Sequence, residues 1–219
     1  MSIQKFIKGF CALDNSKSTS EKFWDFCELG FCAYAKLTAH QKRAEELETR
    51  YMQIVSSYKD KDTIRAYPEF LVMVMNGVIE GEDFLGKIAM EIGALDAKTG
   101  QFFTPLPVSR MMAEITLIDA SNIIDTHGYI TVNEPTSGAG GMVLAMSKTL
   151  ENKGYIPNHH MLVNAQDISR LCYHMCFLQL SFAGIPAFVE RCDTLKMERF
   201  DCAWTPATVS FYKRHGRLF

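Results

Sequence analysis

Apolar residues recur at helical intervals through roughly the first hundred positions and give way to short β-branched runs thereafter, so the chain divides by period. Ser18-Thr19-Ser20-Glu21 is a cap-like start ahead of Lys22 to Cys27. Leu37 to Tyr58 holds no proline or glycine, and Leu47, Tyr51 and Ile54 sit at the helix interval. Its acid–base runs, such as Lys42 to Glu46, read as a solvated face. Pro68 is expected to open a buried helix, because Glu69 to Met75 is apolar nearly all round. Asp83 to Glu91 reads as another helix that closes before Gly93. Gly100, Pro105 and Pro107 then mark a loop, with Pro107 in the first turn of a helix over 107–119. From Gly128 the spacing predicts strands at 129–133, 161–165 and 187–190, with helices at 140–152 and 168–182. That alternation implies βαβ units on a parallel sheet. The expected organisation is a helical region over 1–98 followed by an α/β domain over 99–219.

The first predicted strand ends in Glu134 and turns through Pro135-Thr136-Ser137-Gly138-Ala139-Gly140-Gly141 into a helix. Glycines there permit backbone angles closed to other residues and let a ligand approach the main chain. The N–H groups that open the helix favour polar or anionic ligand atoms. Asp167 follows the second strand, where an acid is placed to accept hydrogen bonds from both ribose hydroxyls of an adenosine. Asp193 follows the third strand, where it could accept an adenine amino group. Each feature also has an ordinary structural reading. Asp167 could simply cap the next helix, Asp193 a short turn, and Phe102 and Phe103 could be interface packing. Taken together and in this order they point to an adenosine-containing cofactor. A nicotinamide dinucleotide fits less well, since Glu134 puts negative charge where its pyrophosphate would sit.

A net charge of −2 gives no basic field, so nucleic acid should bind this chain weakly without a partner. Seven scattered cysteines suit a reducing cytoplasm, and Cys172-x-His174-x-Cys176 reads as buried thiols on a helix rather than a metal site. No apolar run has the length of a membrane span, and no secretion-signal core follows the first lysines.

Gly100-Gln101-Phe102-Phe103-Thr104-Pro105 and the later Glu134-Pro135-Thr136-Ser137-Gly138-Ala139-Gly140-Gly141 together resemble the N6-adenine DNA methyltransferases, specifically those similar to the modification subunits of type I restriction systems. That family carries Gly-x-Phe-[Tyr/Phe]-Thr-Pro, matched in full, and Asp-Pro-x-x-Gly-x-Gly-Gly, matched with Glu in place of Asp. Asp83-Phe84-Leu85-Gly86 is similar to the helix that precedes its first loop. The resemblance covers roughly residues 80 to 200. It implies a Rossmann-like core that binds S-adenosylmethionine. Phe102, Thr104 and Pro105 would line the methionine end, with Glu134 and Pro135 near the amino group and Gly138 and Gly140 allowing close approach. Asp167 and Asp193 would hold the adenosine.

The family's catalytic [Asn/Asp]-Pro-Pro-aromatic tetrad does not occur in this sequence; Phe200-Asp201-Cys202-Ala203-Trp204-Thr205-Pro206 stands there instead. In one register Asp201 and Trp204 form a degenerate catalytic pair, with the ring stacking on a flipped base. In the other, Phe200-Asp201 starts the fourth strand and Thr205-Pro206 marks its tip, and Trp204 packs between sheet and helix. Only 13 residues follow Pro206, so the core is expected to be incomplete at its C-terminal end. Two readings follow from the resemblance: a cytoplasmic enzyme that methylates adenine in DNA, or a truncated, non-catalytic module that binds cofactor and a specificity or second methylase subunit. An exposed sheet edge after the fourth strand would favour a homodimer.

Overall fold

Side-chain capping sets five of the helix starts among the described residues. The computed structural model describes residues 3–13, 16–95 and 102–219. Helix α1 spans Ile3–Cys11 and α2 spans Thr19–Ala35, the latter opened by a full capping box between Ser18 and Glu21. Helix α3 spans Gln41–Ser57 behind His40, and α4 spans Lys61–Ile79 behind Asp60, whose carboxylate accepts the Asp62 N–H. Pro68 therefore lies inside α4 and does not open a helix. It removes one main-chain donor, but Tyr67, Phe70 and Val74 around it are buried, and that apolar burial holds the helix together through the break. Asp83 caps α5, Phe84–Glu91, by accepting the Gly86 N–H.

The helix expected over 107–119 is present but shorter, and a further helix that was not expected follows it. Helix α6 runs Leu106–Thr116 with Pro107 in its first turn, and α7 runs Ala120–His127 to Gly128, a left-handed stop at φ 86°. Then follow β1 (Ile130–Glu134), α8 (Gly141–Asn152), α9 (Pro157–His160), β2 (Met161–Asp167), α10 (Arg170–Phe182), β3 (Ala187–Asp193), β4 (Glu198–Trp204) and α11 (Ala207–His215).

The sheet order is β1-β2-β3-β4. The first three strands are parallel, with Ile130 opposite Met161 and Val163 opposite Ala187. Strand β4 is antiparallel to β3, with Phe188 opposite Trp204, and a bulge falls between Arg191 and Cys192. A tight turn that includes Met197 in a left-handed conformation, φ 58°, makes this hairpin. The outer side of β4 meets the helical region, where Thr38 donates to the Trp204 carbonyl at 2.7 Å. Among the described residues no strand pairs with the outer side of β1.

Helix α10 is buried along its whole length, from Leu171 to Leu180, between the sheet and helix α2. An apolar cluster runs unbroken from Phe6 in α1 to Val189 in β3, across the change of pattern near residue 98. No described helix is long and apolar enough to cross a membrane.

Gly77 in α4 packs its bare Cα against the buried Phe84 ring, and an added Cβ would overlap that ring. Alanine gains up to about 1 kcal/mol of helix propensity there, but overpacking a filled core costs about 1–3 kcal/mol. Gly77→Ala should therefore lower stability by about 1–2 kcal/mol in urea unfolding. A stabilised variant would contradict the packing described.

Candidate active site

The carboxyl ends of β1 and β2 stand side by side, and the glycine loop between β1 and α8 folds over them. Ser137 N–H donates to the Gln166 carbonyl at 2.8 Å, which fixes the loop to the end of β2. Asp167 completes the attachment: one carboxylate oxygen accepts from the Gly138 N–H at 2.9 Å and the other from the Ser169 N–H at 2.8 Å. Glu134 accepts from the Thr136 N–H at 3.2 Å. Gly138 and Gly140 have φ of 53° and 94°, which only glycine adopts without strain.

These groups enclose a cavity of about 440 Å³ that Phe102, Phe103, Thr104, Ser109, Glu134, Gly138, Asp83 and Asp167 help to line. Phe103 lies against the bare face of Gly138, while Phe102 is 83% exposed at the mouth. Ser109 is buried on the wall, and its hydroxyl has no hydrogen-bond partner among the described residues. An orphaned buried hydroxyl on a cavity wall is a group waiting for a ligand atom or water. Burial raises the Asp167 carboxyl above the usual aspartate range, against the Ser169 and Gly138 N–H donors that pull it down.

A second tier of buried polar groups holds the loop from behind. The Gln179 side chain on α10 is fully buried and donates to the Asp83 carboxylate at 2.8 Å and the Ala139 carbonyl at 2.7 Å. Its own oxygen accepts the Leu85 N–H at 3.0 Å. Burial raises the Asp83 carboxyl, opposed by the bonds from Gln179 and Gly86. Neither residue was expected in the site from sequence. Asp83 was legible as a helix cap, and Gln179 as the one amide on an otherwise apolar stretch of helix, Leu171 to Leu180.

The expected site residues separate into groups. Phe102, Thr104, Glu134, Gly138 and Asp167 converge on the cavity. Gly100 and Gln101 of the first loop lie outside the described residues. Pro105 stands at the N-terminus of α6, next to Thr104, and Pro135 offers its carbonyl to Thr194 at 3.0 Å. Gly140 sits beneath the loop, where a Cβ would meet the Cys176 sulfur at 3.3 Å. Asp193 caps the β3–β4 turn through the Leu195 and Lys196 N–H groups, and these donors hold its carboxyl below the usual range.

Asp201 and Trp204 are elsewhere. Because β4 runs antiparallel, its end lies at the start of β3, away from the carboxyl ends that carry the cavity. Asp201 pairs with Arg43 of α3 at 2.6 Å, and Trp204 packs on Phe188 with ring centroids 4.4 Å apart. In α10, Cys172 helps line the cavity while His174 stacks on Phe31 at 4.7 Å, its pKa pushed down to about 3 by burial.

The family model described as N-6 DNA methylase matches residues 81–210, from the turn before α5 into α11. The chain belongs to the N-6 DNA methylase family. The match takes in the cap at Asp83, the glycine loop, Asp167 and Gln179, so this methylase segment includes the helix that braces the loop as well as the sheet. A Listeria monocytogenes crystal structure described as a class I S-adenosylmethionine-dependent methyltransferase is similar, at 14% identity and a TM-score of 0.49, over 84% of this chain and 50% of that one. The chain thus spans about half that protein's length. No curated protein matches.

Because Asp83 carries a raised pKa in the folded state, the folded chain binds its proton more tightly than the unfolded chain does. Its contribution is fully present below the ordinary value of 3.8 and is lost as pH rises through the raised value. Asp83→Asn should therefore flatten that part of the stability–pH curve in urea titrations at stepped pH. Equal slopes for the two proteins would show that Asp83 titrates normally.

Proposed function

We propose that the chain binds S-adenosylmethionine in the cavity between Glu134 and Asp167 and takes part in methyl transfer to the N6 amino group of adenine in DNA. The observation that carries this reading is the convergence of two strand-end carboxylates on one glycine loop, with the Thr104 loop on the opposite wall. The residues present fit such a ligand. The Ser109 hydroxyl is unpartnered among the described residues, and a carboxylate that accepts two N–H groups keeps lone pairs free for ribose hydroxyls. The cofactor supplies a methyl group activated by a positively charged sulfur.

The chain's own task is then to orient and desolvate. Glu134 offers negative charge at the amino end of the ligand, Asp167 fixes the sugar, and Phe102 and Phe103 close the mouth against water. Asp193 does not line this cavity and its Oδ1 holds its own turn, so adenine recognition falls to the loop and the walls. In the wider family the target amino group meets an [Asn/Asp]-Pro-Pro-aromatic element, and no described residue of that kind reaches this cavity.

A second reading is favoured by the Asp201–Arg43 pair, which ties the expected catalytic acid to the helical region. In it the chain is a cofactor-binding module whose acceptor groups come from a specificity or second methylase subunit. A net charge of −2 agrees with DNA being held chiefly by such a partner.

Calorimetric titration with S-adenosylmethionine should show saturable binding, and Asp167→Ala should weaken it by about tenfold or more, the loss expected for a charge-assisted ribose contact. Labelled-methyl transfer to DNA by the chain alone supports the enzyme, and transfer that needs a second subunit supports the module. An absence of cofactor binding refutes both.

A further inference from the structure

A second cleft lies between the helical region and β4, and it shares no lining residue with the cofactor cavity. It has two halves that meet at Arg43, Leu47, Phe200 and Asp201. One half, about 460 Å³, is aromatic. Phe188 and Trp204 stack on its wall at 4.4 Å, and Phe200, 47% exposed, stands at its rim. The other half, about 340 Å³, carries four arginines, Arg43, Arg50, Arg170 and Arg191, against three carboxylates, Glu28, Glu46 and Asp201, and is cationic by the difference.

The four guanidinium groups are unequally satisfied. Arg50 holds Glu28 through two nitrogens at 2.6 and 2.8 Å, and Arg43 holds Asp201 at 2.6 Å and Glu46 at 3.4 Å. Arg170 and Arg191 form no ion pair within 4 Å among the described residues, although Arg170 lies near enough to Glu28 to help lower its carboxyl. Arg191 lies over the Phe200 ring at 5.3 Å, with only a 3.4 Å bond from its Nε to the Ile168 carbonyl. Below them Tyr173 is fully buried on the cationic side. Its hydroxyl feels the Arg43–Asp201 pair and has no hydrogen-bond partner among the described residues. A buried phenol left unpartnered costs stability, and its retention beside two unpaired guanidinium groups marks a place for an acceptor from outside.

The two halves ask for different ends of one molecule. The aromatic wall suits a flat heterocycle, which stacks on rings without regard to its edge pattern. The guanidinium forks and the phenol suit a phosphate, whose oxygens match planar donors. An apolar peptide would strand the arginines, and a metal ion would be repelled by them. We propose that this cleft binds a nucleotide, with its base against Phe200 and Trp204 and its phosphate between Arg170 and Arg191 over the Tyr173 hydroxyl. The site is independent of the cofactor reading, because the two cavities have no residue in common.

The chain's two tryptophans are Trp24 and Trp204, so Trp24→Phe leaves one fluorophore, in the aromatic half. Thymidine 5′-monophosphate is the probe, with saturating S-adenosylhomocysteine present so that adenosine chemistry in the other cavity does not contribute. Saturable quenching of Trp204 is expected. The paired change Arg170→Gln with Arg191→Gln should weaken it by about tenfold or more with thermal unfolding near that of the parent, and Tyr173→Phe should weaken it by about threefold or more while unfolding at or above the parent's temperature. Thymidine without its phosphate should bind about tenfold more weakly. A parallel titration with a short oligothymidylate separates the sources. Binding of the monophosphate identifies a free nucleotide as sufficient, and binding of the strand alone identifies a nucleotide carried on single-stranded nucleic acid. The proposal is overturned if neither titrant quenches Trp204 up to about 5 mM, if thymidine binds as well as its monophosphate, or if the paired arginine change leaves the affinity unaltered.

Discussion

One buried carboxamide decides how the two halves of this chain sit on each other. Gln179 uses both of its N–H donors and its oxygen, on Asp83, the Ala139 carbonyl and the Leu85 N–H. Each of those partners is itself buried, and an unpaired polar group in such a place costs about 1–3 kcal/mol. The cap of α5, the middle of α10 and the glycine loop are therefore held to one geometry. Gly141 makes room for the arrangement, since a Cβ there would stand 2.9 Å from the Asp83 carboxylate. The helical region is thereby a brace for the glycine loop that helps line the cavity at the ends of β1 and β2.

The direction of β4 follows from the short turn after β3 and partitions the chemistry. A crossover connection would have delivered the strand parallel to its neighbours and its end to the cavity. The hairpin carries Asp201 back toward α3 and delivers Trp204 to Phe188. Thr205 seals that end of the sheet, donating to the Ile185 carbonyl at 2.7 Å and accepting the Ala187 N–H at 2.9 Å. Two separate cavities result, one at the carboxyl ends of β1 and β2 and the other between β4 and the helices.

What was legible in the sequence was local. The Ser18 capping box, Pro107 in a first turn, the three parallel strands and the pairing of Glu134 with Asp167 about one glycine loop all follow from short-range rules, and the structure agrees with them. Pro68 misled because propensity marks a proline as a boundary, whereas the buried faces of Tyr67, Phe70 and Val74 carry the helix through it. The hairpin was hidden because its left-handed position is Met197, not a glycine, and Asp193 was the one turn signal there. Asp193 satisfies the pattern of an adenine contact, but it does not line the cavity, and its Oδ1 accepts the two N–H groups of its own turn. Gln179 escaped notice because its partners are distant in sequence, and pattern reading is blind to such bonds.

The brace is tested most directly by amide hydrogen exchange on the parent and on Gln179→Met, a change of similar length that keeps the apolar contacts of α10 and removes the three bonds. The account predicts that Gly138 to Gly141 and Leu85 to Gly86 lose protection together, while the strand amides of β2 and β3 keep theirs. Unchanged protection in the glycine loop, or loss confined to α5, would contradict it.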